Sequence, residues 1–115
     1  MEGARILLMG LAFKENCPDL RNTRVVDIVA ELADYNVTVE VHDPHVDPKE
    51  ADLVYGIRPI DVPESAAYDA IILAVAHREF RELGAERIRA WGRPDSHVLY
   101  DLKYVLPRAA VDLRL

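Results

Sequence analysis

One cysteine, Cys17, is all the thiol chemistry in 115 residues. An internal disulfide is therefore excluded, and a reducing, cytoplasmic setting is expected. Basic residues are in deficit: 14 Lys and Arg stand against 20 Asp and Glu, for a net charge of −6. That balance argues against a nucleic-acid partner, whose phosphate backbone needs a basic face, and against an anionic membrane surface. Long apolar runs are missing as well. "AIILAVA", from Ala70 to Ala76, falls far short of the ~20 residues that span a bilayer, and no charged-then-apolar leader opens the chain. Glycine is sparse, five in all. None forms the G-x-G-x-x-G loop of a dinucleotide grip, so no such grip is expected after the first strand. The opening "MEGARILLMG" enters an apolar segment almost at once. An abrupt start of this kind is the expectation for a domain cut from a longer protein, residues 1–115 forming a single unit.

What the chain does contain is a regular alternation of strand and helix patterns. Arg5 to Met9 is apolar and closed by Gly10. Thr23 to Tyr35 carries Val25, Val26, Ile28, Val29, Leu32 and Ala33 at helical spacing, with Asn22 or Thr23 able to cap the first turn. Val37 to Val41 alternates like a half-exposed strand, and "HDPHVDP" turns the chain. Pro48 to Tyr55 reads as a short helix with Pro near its first turn. Gly56 to Tyr68 shows no clean period and reads as a connection holding one short strand or turn. Ala70 to Val75 is a continuous apolar strand of the type covered on both faces. Arg78 to Leu83 and Ala85 to Trp91 read as two short helices broken at Gly84, and His97 to Leu102 as the last strand. Such alternation predicts an α/β fold: a Rossmann-like, doubly wound, mainly parallel sheet with helices on both faces. Ligands of such sheets sit beyond the carboxyl ends of the strands. The loops to watch are therefore those from Leu11 to Asn22, His42 to Asp47, Ala76 to Glu79 and Asp101 to Leu106.

The first of these loops, "GLAFKENCPDLRNTR", is the most informative. Lys14 and Arg21 lie between a strand end and a helix N-terminus, where free N–H groups and the helix dipole favour an anion. The bland reading pairs Arg21 with Asp19 or Glu15 on the surface. Cys17 could be a nucleophile with Lys14 and Arg21 lowering its pKa, yet no neighbouring His completes a dyad, and an incidental cysteine is the simpler account. His42 and His45 flank Asp43-Pro44 rather than sharing a helix face, so with Asp43 and Asp47 they make an unspecific metal set, and no metal is expected. His77 ends the apolar strand, where it could face a ligand or cap the next helix. Asp101 could orient the Lys103 ammonium, or the two could form a plain salt bridge. Phospho-receiver domains also carry an acid and a Lys at strand ends. They need acids after the first strand and after a middle one, where this chain has Gly10 and Ala76-His77.

Taken together, "GLAFKENCPDLRNTRVVDI", "VHDPHVD", "AIILAVAHREF" and "LYDLKYVLP" resemble, in order, the C-terminal domain of the UDP-glucose/GDP-mannose dehydrogenase family. The nearer likeness is to the bacterial UDP-N-acetylglucosamine and -galactosamine 6-dehydrogenases of surface-polysaccharide synthesis. The resemblance runs from about Ala4 to Leu115. It implies a UDP-binding domain that closes over the substrate of a longer, NAD-dependent enzyme, a homodimer or higher homo-oligomer. That enzyme oxidises the C6 alcohol of a UDP-N-acetylhexosamine to a carboxylate. By position, Phe13 and Lys14 resemble substrate-contacting residues, and Arg21 an arginine reaching NAD held by another domain. Lys103 falls where related enzymes have a substrate-contacting arginine, a departure that matters because Lys cannot grip bidentately. The family's catalytic cysteine belongs to a glycine-rich motif that this chain does not contain, so the resemblance implies no catalytic residue here. The alternative from another class is a stand-alone nucleotide-binding or regulatory module without chemistry.

Overall fold

A computed structural model describes residues 4–12 and 25–114. Among these, five strands and three α-helices follow one another as β1 (Arg5–Met9), α1 (Val25–Ala33), β2 (Thr38–His42), α2 (Pro48–Tyr55), β3 (Ala70–Leu73), α3 (Arg78–Arg89), β4 (Val98–Asp101) and β5 (Leu113–Arg114). The strands form one sheet in the order β2-β1-β3-β4-β5. Every pairing is parallel, with Met9 opposite both His42 and Leu73, and Leu73 opposite Asp101. Strand order reverses between β1 and β3, which places the crevice typical of doubly wound sheets at their carboxyl ends.

The two faces of the sheet are covered by different helices. Leu7, Met9, Ile71, Leu73 and Leu99 share one buried cluster with Phe80 and Ile88 of α3. Leu8 and Val41 share the other with Val25 of α1 and Ala51 of α2. Alternate residues of β1 thus enter opposite layers, as the pleat requires, and the apolar runs of β1 and β3 follow from being covered on both sides.

Local signals set the helix limits. Asp47 accepts the Lys49 N–H at 3.0 Å, Pro48 occupies the first turn of α2, and Gly56 closes that helix in the left-handed region at φ 69°. In α3, Gly84 at φ 76°, ψ 165° kinks the helix where the sequence places the break, and helix resumes at Ala85.

Several boundaries differ from the sequence reading: α1 ends at Ala33, α3 at Arg89, and the strand read from His97 to Leu102 spans Val98–Asp101. β2 begins and ends one residue later, at Thr38 and His42. β3 stops at Leu73, while Ala74 and Val75 stay buried past its end and the Ala74 N–H still donates to the Met9 carbonyl at 2.9 Å, so burial outlasts the strand. The strand after residue 97 is not the last. Past a 3-10 turn at Arg108–Ala110, β5 adds to the edge of β4. Arg89 of α3 fixes it by donating to the Ala110 carbonyl and to the Asp112 carboxylate, which also accepts the Leu99 N–H at 2.8 Å.

Candidate functional site

The carboxyl ends of β1, β2 and β3 meet on one buried carboxylate. Asp43, the first residue after β2, is 5% exposed. Its Oδ2 accepts the N–H of Leu11 at 2.7 Å and of Ala12 at 2.9 Å, the residues that lead out of β1. Its Oδ1 accepts the His45 N–H at 2.8 Å. His77, beyond β3 and fully buried, sets Nε2 2.9 Å from Asp43 Oδ2. Burial pushes the Asp43 carboxyl up, but the hydrogen bonds from His77, Leu11, Ala12 and His45 outweigh it and hold the group below the usual carboxylate range. An ionised carboxylate only accepts, so His77 Nε2 carries the proton in this contact.

A second layer lies over the first. The His45 ring stacks at 4.4 Å from that of His77, and its Nε2 lies 2.8 Å from Glu79 Oε1. The contact with His45 is the main reason the Glu79 carboxyl is held below its ordinary value. Phe80 meets the His77 ring edge-on at 5.3 Å. Beside this cluster an open cleft of about 390 Å³ runs between His42, Pro44, Phe80, Leu83 and Arg87.

Gly10 makes the convergence possible. At φ 106° it lies in the region glycine favours, and a Cβ there would stand 2.6 Å from Val75 Cβ. Its N–H donates to the His42 carbonyl at 2.8 Å, which carries the β1–β2 pairing one residue past the strand.

A similar arrangement closes β4. Asp101 is fully buried and accepts the N–H groups of Lys103 at 3.1 Å, Val105 at 3.0 Å and Leu106 at 2.9 Å. Within this turn Tyr104 is held at φ 56°, a left-handed conformation that a non-glycine residue keeps only when its surroundings impose it. Lys103 is exposed on the same turn.

Phe13, Lys14, Cys17 and Arg21 lie outside the described residues. Asp101 orients the backbone of Lys103, through its N–H, where the sequence suggested its ammonium. His77 supplies no side-chain cap to α3; its ring nitrogen goes to Asp43 instead. The sequence offers Asp43 only as an unspecific metal ligand, and among the described residues no group of three or more His, Cys, Asp or Glu is placed to hold a metal. The signal that could have found it is an acid directly after β2, where dinucleotide folds place a ribose ligand. In this chain that acid turns inward and occupies the first N–H groups of the β1 loop. Those donors are therefore not available to cradle a pyrophosphate. No helix among the described residues is long and apolar enough to cross a membrane.

A parallel sheet of this order, with polar loops gathered at the carboxyl ends around the β1/β3 reversal, defines a Rossmann-like domain of the nucleotide-binding type. Within that class the chain belongs to the UDP-glucose/GDP-mannose dehydrogenase family, as its UDP binding domain; the family model matches residues 7–108. It is 62% identical over its whole length to UDP-N-acetyl-D-glucosamine 6-dehydrogenase of Pseudomonas aeruginosa, of which it covers 27%. It is 52% identical, again over its whole length, to the protein of the same name from Salmonella typhi, also covering 27%. Among solved structures, the UDP-D-ManNAc dehydrogenase of Pyrococcus horikoshii matches with a TM-score of 0.73 and 26% identity, over 98% of this chain and 25% of that one. The chain thus spans about a quarter of the length of the relatives it matches.

Proposed function

We propose that this domain binds the UDP moiety of a UDP-N-acetylhexosamine within a cytoplasmic, NAD-dependent 6-dehydrogenase that oxidises the C6 alcohol to a carboxylate for bacterial surface-polysaccharide synthesis. The observation that carries the reading is 62% identity, without loss of coverage, to a UDP-N-acetyl-D-glucosamine 6-dehydrogenase. Phe13, Lys14 and Lys103 contact the substrate, and Arg21 reaches the cofactor. In sequence Phe13, Lys14 and Arg21 fall between β1 and α1, and Lys103 follows β4; ligands of such folds bind beyond the carboxyl ends of the strands.

NAD supplies hydride acceptance and is held mainly by a separate domain. The geometry here suits that division, because Asp43 already occupies the N–H groups of Leu11 and Ala12 that a dinucleotide loop would offer. This chain's own residues bind and orient: side-chain cations meet the diphosphate, for which charge-assisted hydrogen bonds are the strong ones. Full-length, the enzyme is a homodimer or higher homo-oligomer.

The test is turnover of the full-length protein with NAD and a panel of UDP sugars, with Lys14→Ala and Arg21→Ala beside it. Lys14→Ala should raise KM for the UDP sugar and Arg21→Ala should weaken NAD. Each should lower kcat/KM roughly ten- to a hundredfold, the range for losing one charge-assisted contact. Unchanged constants for both ligands in both variants would reduce the loop to a charged turn.

A further inference from the structure

We infer that Tyr104 is a further substrate-binding residue: its ring is a stacking surface for the uracil base of the UDP sugar. The inference rests on the UDP-sugar reading above and names the part of the ligand that this turn meets. Tyr104 lies on the turn that leaves the carboxyl end of β4, the end of the sheet beyond which ligands of such folds bind. Its neighbour Lys103 is exposed, and Tyr104 itself is 56% exposed. The turn is fastened on both sides of this pair. Leu102 donates its N–H to the Leu73 carbonyl at 3.0 Å and packs against the layer of Leu8 and Val41. Val105 and Leu106 are buried in the opposite layer, with Leu73 and Leu99. Between these anchors the Asp101 carboxylate accepts the N–H groups of Lys103, Val105 and Leu106. Lys103 and Tyr104 are the two residues that this clamp leaves at the surface.

Folding alone is a poor explanation for a tyrosine at this point. Among the described residues, Asn36, Ala66 and Tyr104 are the non-glycine residues with positive φ. Asparagine tolerates that region, and alanine has a small side chain. Tyr104, at φ 56°, is the bulky one, for which the left-handed region is a marked outlier. Asparagine or glycine would take the same turn at less cost, and core burial does not account for a residue more than half exposed. Backbone strain of this kind gathers at ligand sites. What tyrosine adds over asparagine is a flat aromatic face, and every nucleobase has a π-face to lay on one. Lys103 beside it supplies a point charge for the phosphates. Two consecutive residues thus divide the nucleotide: the cation meets the diphosphate and the ring meets the base. Binding groups act best when their supporting shell holds them rigidly, and here that shell is Asp101 with the buried side chains on either side of the pair.

The test is the Kd of the full-length protein for UDP and for uridine monophosphate by titration calorimetry, with folding checked by circular dichroism. Tyr104→Asn fits the left-handed turn and removes the ring. It should weaken both nucleotides by the same factor, about tenfold, on the scale of one base stacked on an aromatic side chain. Tyr104→Phe keeps the ring and should restore the binding that asparagine loses. Tyr104→Gly, which also suits the turn, carries the measurement if Tyr104→Asn does not fold. An unchanged Kd for UDP without the ring overturns the inference. So does a loss that Tyr104→Phe shares in full, or one confined to UDP that spares the monophosphate. If the unaltered protein binds no UDP, the UDP-sugar reading itself falls and this inference falls with it, an outcome distinct from the others.

Discussion

Asp43 and Asp101 stand in equivalent roles at the ends of β2 and β4. Each is a buried carboxylate one strand-end deep, and each accepts three backbone N–H groups. They differ in reach. Asp101 caps the turn that follows its own strand, whereas Asp43 also gathers β1 and, through His77, β3.

Removing the Asp101 carboxylate leaves the buried Val105 and Leu106 N–H groups, and the part-buried Lys103 N–H, without their acceptor. Each unsatisfied donor costs on the order of 1–3 kcal/mol. Asp101→Ala should therefore lower unfolding free energy by about 3 kcal/mol or more, seen as a lower urea midpoint at unchanged m. It should also release Tyr104 from its left-handed conformation. A loss below about 1 kcal/mol would show that water replaces the carboxylate freely.

Acid should expose the Asp43 site. Its folded-state pKa lies below the ordinary carboxylate value, so the unfolded chain takes up the proton first as pH falls. The stabilisation is complete above the unfolded pKa of about 3.9 and is lost as pH drops through the folded value. Asp112, held low mainly by Arg89 and then by the Leu99 N–H, adds a limb in the same direction. Unfolding free energy measured between about pH 2 and 7 should fall steeply at the acid end, and less steeply in Asp43→Asn. Parallel acid limbs in the two proteins would remove Asp43 from this account.

Gly10→Ala should be among the most damaging small substitutions. The added Cβ meets Val75 at 2.6 Å and must sit at φ 106°. Overpacking and backbone strain each cost on the order of 1–3 kcal/mol, so a loss of roughly 2–5 kcal/mol is expected from chemical denaturation; alanine at Gly56, where nothing lies within 4 Å of the added atom, meets only the strain of φ 69° and should cost about 1 kcal/mol.

Cys17→Ser in the full-length protein should leave turnover within a few-fold, because the reading assigns no chemistry to this thiol. The isolated 115-residue chain should form no NADH with any UDP sugar. A loss of about a thousandfold in the serine variant, the scale of a removed nucleophile, would reverse the assignment. NADH formation by the isolated chain would do the same.

Much of the fold is legible along the chain, because its causes are local. β1 and α2 have the limits their patterns predict: an apolar run closed by a glycine, and a helix with an Asp cap, an early Pro and a closing Gly. Gly84 breaks α3 for a reason visible in its residue type. The class of fold follows from alternation alone, and the family from four motifs in order. β5 was not legible, since two residues become a strand only where Arg89, some twenty positions earlier, ties Ala110 and Asp112 to the edge of β4. Nor was the end of β3, where burial and one hydrogen bond to β1 continue past the last strand residue. The Asp43–His77 contact belongs to the same kind. "HDP" and "VAH" are 34 residues apart, and neither triplet indicates a partner. Only the order in which parallel strands lie side by side brings an acid after β2, an imidazole after β3 and two N–H groups after β1 to one point. Residue type and period act over a few positions and are therefore written in the sequence. Which strand ends become neighbours depends on the packing of both faces at once, and tertiary structure alone decides it.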